Sequence, residues 1–422
     1  MKKAFFLVIS LLLASTCYCQ DGFIKVGGKV IDNRTNEPLA YANVSISKSS
    51  IGTVSNTMGE FDFFIPYSFK DDTLVISYVG YTTLKQSIRV STSQTNFYLD
   101  EATVILNDVV VSSDGAKKII ETAIESIPIA YPNQPYLLEG FHRSWEKVDF
   151  TDSIAYPGTL IESAVTIYDP GYGQKKESPK YAEEIYLDEV RRSAIMEGWN
   201  YDGNWLKQLL QQNVLRHNKV NILFVKSFLD FPNTLVYEWS GSTKIDGENI
   251  NIVTVEIPNN RKFPAMFTIY ISEEDNTILR FDLKGNQKEI DFSQYDWHTE
   301  NISAIYIFRR YLGKSYLSYA KVQYTIKKLD LVKKTVVRTE DYFKELLINK
   351  IVNANVEAVR KSLGQISKAN SLALQAKPYN QTFWEKFNLI KENPIDIEII
   401  SLFEERGKLE NQFKARTKKK DQ

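Results

Sequence analysis

The sequence predicts a mainly β protein: a small N-terminal β-sandwich, then a large curved antiparallel sheet with a few helices. Three observations carry this. Aromatic residues make up 13% of the 422 residues, with 24 Tyr and 23 Phe against 13 Pro and 19 Gly, and aromatic side chains suit a pleated, half-buried surface. Residues 24–100 break into short strands with turn signals about every ten residues. Residues 135–350 read as successive long hairpins. The same composition excludes several classes. Lys+Arg and Asp+Glu are both 52, without the basic excess of a nucleic-acid binder. With 43% hydrophobic and 25% charged residues, wholesale disorder is excluded. Three His and two Cys leave little from which to build a metal or redox site, so no metal and no cofactor is expected.

Residues 1–19 read as a secretory signal peptide. Lys2 and Lys3 form the charged start, and Phe5–Leu13 form an apolar run too short for a bilayer core of about 30 Å. Small side chains at Cys17 and Cys19 place cleavage before Gln20. The rival reading, a lipoprotein acylated at Cys17 or Cys19, lacks the small residue before the cysteine: Thr16 and Tyr18 stand there. Cleavage removes both cysteines, so core burial rather than disulfides must stabilise the mature chain. No later apolar run reaches 18 residues, and no transmembrane segment is expected in the mature chain.

Residues 22–102 form the first domain. Val26–Asp32 enters a turn at Asn33–Pro38. Ala42, Val44 and Ile46 alternate. Gly52–Ser55 and Glu60–Phe63 flank the turn Asn56-Thr57-Met58-Gly59, and Leu74–Tyr81 and Phe97–Leu99 follow. The order Gly28-x-Val30-x-Asp32, Thr35-x-Glu37-Pro38-Leu39-x-x-Ala42-x-Val44, Gly52-Thr53-x-Ser55-x-x-x-Gly59-x-Phe61 and Leu74-x-Ile76-Ser77-x-x-Gly80-Tyr81 resembles the carboxypeptidase-regulatory-like domain. That resemblance implies a seven-stranded, transthyretin-like sandwich of the kind that begins many exported envelope proteins. It implies no peptidase: the H-x-x-E pair of the catalytic domain is missing after His142, His217 and His298. The residues of the motif read as turn glycines and core apolar positions.

Residues 103–134 read as a linker, Leu106–Ser112, and an amphipathic helix. Ala116, Ile119, Ile120, Ala123, Ile124 and Ile127 fall on one face. Asp114 is the expected N-cap and Pro128 the expected end. Lys117, Lys118, Glu121 and Glu125 balance on the other face, so packing on a sheet is expected rather than a membrane surface.

The second domain spans 135–350. Strands are expected at Tyr136–Val148, Leu160–Tyr168 and Ile185–Ala194, with a short helix at Trp205–Val214. Leu235–Ile245 and Ile250–Ile257 should pair across Asp246-Gly247, a type I′ signal. Phe267–Ser272 and Ile278–Leu283 should pair across Glu274–Thr277. Ser303–Tyr311, Tyr316–Lys328 and Val336–Ile348 continue the meander. A sheet of eight or more strands must curl or close to protect its edges. The segment Thr243–Asn249, and Ile269-Tyr270-Ile271 before Asp275-Asn276-Thr277, resemble periplasmic lipoprotein-carrier proteins, which implies a half-barrel around an apolar cavity. Some 310 residues after the linker are too few for a 22-stranded transport barrel at about 10 residues per strand plus long loops.

Residues 351–422 change character. Ser362–Lys377 reads as a polar loop and Tyr379–Asn388 as an aromatic docking segment. A helix is expected from Pro394 to Lys414, and Arg416–Lys420 is a basic tail.

No G-x-S-x-G, H-E-x-x-H, P-loop or G-x-G-x-x-G occurs. Ser45–Lys48 and Ser144–Lys147 match S-x-x-K without its companion K-T-G. Glu183 and Glu184 are adjacent on a strand and point to opposite faces, so they cannot act as a glycosidase pair. No catalytic residue is expected, and the chain is read as not an enzyme. The ligand-like residues are Trp199, Tyr201 and Trp205, whose aromatic rings beside amides and a carboxylate suit stacking, and Phe281, on an apolar strand face. The expected function is a non-catalytic envelope protein, binding or scaffolding at the periplasm or outer-membrane periphery, with an envelope protein, glycan or lipid as partner. A periplasmic carrier of an apolar ligand and an exported Asp/Glu hydrolase are the alternatives. Phe267/Ile269/Ile271 and Leu279/Phe281/Leu283 should be buried under the Ala116–Ile127 helix or the C-terminal helix.

Overall fold

The computed structural model describes residues 22–88, 95–102, 112–151, 156–172, 183–193, 206, 209–210, 215, 235–257, 264–287, 289–293, 295–364 and 377–415. Seven strands build the sandwich: β1 (Phe23–Asp32), β2 (Asn43–Ile46), β3 (Gly52–Val54), β4 (Glu60–Pro66), β5 (Thr73–Ser77), β6 (Leu84–Ser87) and β7 (Thr95–Leu99). Their order is β4-β1-β7 in one sheet and β3-β2-β5-β6 in the other. Alternation explains the core between them. Val30, Val44, Ile46, Phe61, Phe63, Ile65 and Ile76 all face inward and lose their water. Strand β6 has no sequence signature because Lys85, Gln86 and Ser87 are exposed at the sheet edge. The motif residues Asp32 and Tyr81 meet: one Asp32 oxygen accepts the Tyr81 hydroxyl at 2.8 Å, and the other accepts the Arg34 and Thr35 amides. This closes the turn after β1.

Helix α1 (Ser113–Ala130) buries Ala116, Ile120, Ala123, Ile124 and Ile127, the face expected from the periodicity. Its ends differ from expectation. Ser112, not Asp114, is the N-cap, accepting the Gly115 amide at 3.2 Å. Pro128 lies inside the last turn, and the helix still closes through the Tyr131 amide to the Ile127 carbonyl. Proline removes only its own donor, and the buried Ala130 and Tyr131 hold the following turn in place.

The second sheet has ten antiparallel strands: β8 (Tyr136–Phe150), β9 (Tyr156–Asp169), β10 (Glu184–Arg192), β11 (Val236–Ile245), β12 (Glu248–Ile257), β13 (Ala265–Ser272), β14 (Ile278–Asn286), β15 (Trp297–Tyr311), β16 (Lys314–Asp330) and β17 (Thr335–Val352). The order is β10-β9-β8-β17-β16-β15-β14-β13-β12-β11. The β11–β12 turn has positive φ at both Asp246 and Gly247, as a type I′ turn requires. In β14, Leu279 is buried, but Ile278 rather than Leu279 joins Phe281 and Leu283 in the inner-face cluster, because the register with β13 slips between Tyr270 and Ile271.

The sheet is packed on both faces. Helix α1, with Leu206, Leu209, Leu210 and Leu215, covers the inner face, where Val253, Phe267, Ile269, Phe281, Tyr306 and Leu346 lie. The sandwich and the C-terminal segment cover the outer face. That segment comprises α2 (Val356–Ser362), α3 (Gln381–Trp384), α4 (Pro394–Glu404) and α5 (Leu409–Ala415). The single helix expected from Pro394 to Lys414 is thus two. Gly407, at φ +102°, turns the chain between them, and Phe403 and Leu409 both reach Trp145, Leu160 and Phe343. Helix α1 therefore covers the apolar strand faces, while the C-terminal helices lie on the opposite side.

Candidate functional site

Strand register sets the chemistry of the inner face. One row across it runs Ser163, His142, Leu346, Ala320, Tyr306, Phe281, Ile269, Val253 and Trp239. The next runs Ile161, Ser144, Lys344, Val322, Ala304, Leu283, Phe267, Val255 and Tyr237. The β11–β15 half is apolar and the β8–β9–β17 half is polar. At the polar end the Nε2 of His142 and the Oγ of Ser144 are buried without a hydrogen-bond partner, as is the hydroxyl of Tyr306 midway along the first row. His142 Nδ1 lies 3.3 Å from Ser163 Oγ. Lys344 donates to Tyr324 Oη at 3.2 Å. Burial, with Lys344 nearby, pushes His142 down to about 3; burial also lowers Lys344 to about 7, against the opposing pull of Glu146. Ser144 and Lys344 are cross-strand neighbours, but no hydrogen bond joins them, as the Ser144 hydroxyl has no partner.

Trp199, Tyr201 and Trp205 lie outside the described residues. Phe281 is 1% exposed and packs on Phe267 with ring centroids 5.8 Å apart. Glu184 receives Arg360 Nε at 2.8 Å.

An open site lies on the outer side. The sandwich is seated on β15–β17. Tyr41 stacks on Tyr319 with centroids 5.1 Å apart, Lys321 Nζ donates to Tyr41 Oη at 3.0 Å, Ser318 donates to Asn43, and Ile51 bridges to Lys350. Gly52 admits this approach, since a Cβ there would stand 2.2 Å from Arg309 Nη1. The aromatic segment closes the side of the joint. Asn388 treats the free edge of β4 as a strand would: its Oδ1 accepts the Phe64 amide at 2.6 Å and its Nδ2 donates to the Phe64 carbonyl at 3.0 Å.

Between these parts a crevice of about 490 Å³ remains, within the usual range of small-ligand sites, which favour such joints. Phe23, Phe64 and Pro66 of the sandwich form one wall, and Phe383 and Phe387, stacked 4.9 Å apart, form another. Asn349 and Lys350 of β17 form the floor. Lys350 pairs with Glu139 at 2.9 Å, and Asn349 donates to the Asn388 carbonyl while its buried Oδ1 accepts nothing. The crevice thus offers aromatic walls over a polar floor. Sequence reading found the Tyr379–Asn388 segment but not its partners in the sandwich, which lie more than 300 residues away. A more open hollow of about 660 Å³ at the ends of β12–β15 mixes Met266 and Ile257 with Lys284, Asn286, Asn301 and Gln323.

A buried charge cluster lies on β8, β9, β10 and β17. Arg143 Nε donates to Glu162 at 2.8 Å and its Nη1 to Glu345 at 3.1 Å, while Asp396 lies 3.8 Å away. Arg191 shares Glu162, Tyr319 donates to Glu345 at 3.0 Å, and Trp145 Nε1 donates to Asp396 at 3.2 Å. Burial pushes Glu345 up to about 7: Arg143 opposes this but is divided among three carboxylates, and Asp396 adds to it. The cluster ties sheet, sandwich and C-terminal segment together. Among the described residues no group of three His, Cys, Asp or Glu could hold a metal, and no helix is long and apolar enough to cross a membrane.

Residues 26–111 match the model of the CarboxypepD_reg-like domain. No curated protein matches the chain. Among solved structures, a domain provisionally named as an outer membrane lipoprotein-sorting protein from Vibrio parahaemolyticus is 8% identical, covers 59% of this chain and all of its own, and has a TM-score of 0.22. A LolA superfamily protein from Nitrosomonas europaea is 10% identical over 55% of this chain and 93% of its own, with a TM-score of 0.19. The MucA/MucB complex from Pseudomonas aeruginosa is 7% identical over 58% and 96%, also at 0.19. Likeness at these scores does not extend to ligand or partner.

Proposed function

We propose that this chain is a non-catalytic binding protein of the cell envelope, and that it takes an apolar, aromatic-compatible ligand in the crevice between the sandwich, β17 and the Tyr379–Asn388 segment. The observation that carries this is the crevice itself: open volume walled by Phe23, Phe64, Phe383 and Phe387 over the polar residues Asn349 and Lys350. The domain matched at residues 26–111 supports the envelope setting.

A second reading, a carrier of an amphipathic lipid on the inner face, is favoured by the orphan polar atoms of His142 and Ser144 at the β8 end of the two rows and of Tyr306 midway along the first. One experiment separates the two. An environment-sensitive apolar dye is titrated into the full chain and displaced with fatty acid. For the crevice reading, Phe387→Ser weakens binding about tenfold, equivalent to about 1.4 kcal/mol, and His142→Phe leaves it unchanged. The reverse pattern supports the carrier. A native protein that binds no dye rejects both and leaves a scaffolding role.

A further inference from the structure

The far end of the long hairpins carries apolar residues that folding does not use. Strands β16 and β17 run out to a turn at Leu331–Lys334, beside the start of β15. Asp330 closes that turn by accepting the Val332 and Lys333 amides at 3.0 and 2.9 Å, and Lys334 takes a positive φ. Polar residues serve such a turn best, yet Leu331 and Val332 occupy it, and Val332 is 94% exposed. Trp297 sits opposite Lys328, and its ring lies 5.5 Å from that of Tyr295. These rings are 45% and 55% exposed, and Val337 is exposed alongside them. These exposed apolar residues gather at the end of the β15–β17 hairpins.

Its charges form a frame. Lys327 and Arg338 are held by Glu300 and Glu340, each at 2.6 Å. Lys328 and Lys334 stand outside those pairs, and Lys333 reaches Asp330 only at 3.9 Å. The acids at the tip are Asp296, which is exposed, and Asp330, whose Oδ1 is taken up by the turn amides. We propose that this tip is a membrane-contact surface that docks on an anionic phospholipid bilayer, with Leu331 and Val332 entering the acyl boundary, Tyr295 and Trp297 at headgroup level and the three lysines on the headgroups. A turn at the end of long hairpins can enter a fluid surface with its exposed Leu331 and Val332. Trp and Tyr prefer the membrane interface, and lysine stems lie along apolar surface while their heads stay wet. Lysines near the surface are drawn to anionic lipid and are screened by salt.

The test is co-sedimentation of the full chain with phosphatidylcholine vesicles, with and without phosphatidylglycerol, at low and high salt. Binding is expected to the anionic vesicles at low salt, with a blue shift of tryptophan emission that is lost in Trp297→Phe. Leu331→Ser with Val332→Ser should cut binding about tenfold or more at an unchanged melting temperature, both positions being exposed. Lys328→Ala, Lys333→Ala and Lys334→Ala together should abolish the preference for anionic lipid. Native protein that ignores anionic vesicles, a serine double variant that binds as well as wild type, or equal binding to both vesicle types would each overturn the proposal. Capture of a protein at the tip without vesicle binding would replace the bilayer with that partner.

Discussion

Gly59→Ala tests how the sandwich is held together. Gly59 has φ +73°, and its carbonyl accepts the Val30 amide at 2.8 Å. A Cβ there would stand 2.4 Å from the Val30 carbonyl oxygen and 3.2 Å from Pro38 Cβ. Two costs therefore add. A non-glycine residue in the left-handed region costs about 1–2 kcal/mol. The overlap is with backbone, which no rotamer change relieves, and overpacking of this kind costs about 1–3 kcal/mol. Gly80→Ala is the control: its φ is +91°, but the nearest atom to a new Cβ is Thr243 Oγ1 at 3.4 Å, an ordinary contact. It should bear only the first cost. Thermal unfolding by circular dichroism reads the difference. If the sandwich melts as its own unit, about 1 kcal/mol moves its midpoint by about 4–8 °C, so Gly59→Ala should melt at least several degrees below Gly80→Ala. Equal midpoints would refute the claim that backbone proximity at the Asn56–Gly59 turn, rather than φ alone, demands glycine.

Stability should depend on pH in two opposed ways. Glu345 has a raised pKa, so between about 4.5 and 7 its folded form binds more protons and its contribution to stability falls as pH rises. His142, lowered to about 3, contributes a rise that offsets part of that fall up to about 6.5. Lys344 has a lowered pKa, so between about 7 and 10.5 the unfolded state binds more, and stability rises with pH. Urea titrations across pH should show Glu345→Gln flattening the acid limb alone and Lys344→Met the alkaline limb alone; a variant that leaves its own limb intact refutes that assignment. Asn393→Ala should free the C-terminal segment, since its Oδ1 accepts the Thr57 amide and hydroxyl at 2.8 and 2.6 Å and its Nδ2 donates to Asp396; a loss of about 1–3 kcal/mol would appear as faster proteolysis after residue 377, and an unchanged digest counts against it. Intact mass of the exported protein should correspond to a chain beginning at Gln20, whereas a diacylglyceryl adduct on Cys17 or Cys19 would establish a lipoprotein.

Alternation and turn chemistry are local, and the sequence alone determined what depends on them. Val44 and Ile46, the Asp246-Gly247 turn and the β13–β14 pair could be read because period-two burial and positive φ are written in neighbouring residues. The inward face of α1 was legible for the same reason. Its N-cap was not, because Ser112 and Asp114 are both good caps and the choice lies in the path of the chain. The slip that puts Ile278 in place of Leu279 is a property of two strands together, invisible in either. Phe281 was read as part of an apolar strand face to be buried under a helix or met by a ligand, but apolarity does not choose between the two, and here α1 and Phe267 fill the space. The crevice was beyond sequence reading altogether. Phe64 and Asn388 are 324 residues apart, and only the seating of the sandwich on β15–β17 brings the walls together. Residue type and spacing set the strands; which faces are covered, and where volume is left open, follow from how the covering parts compete for the same sheet.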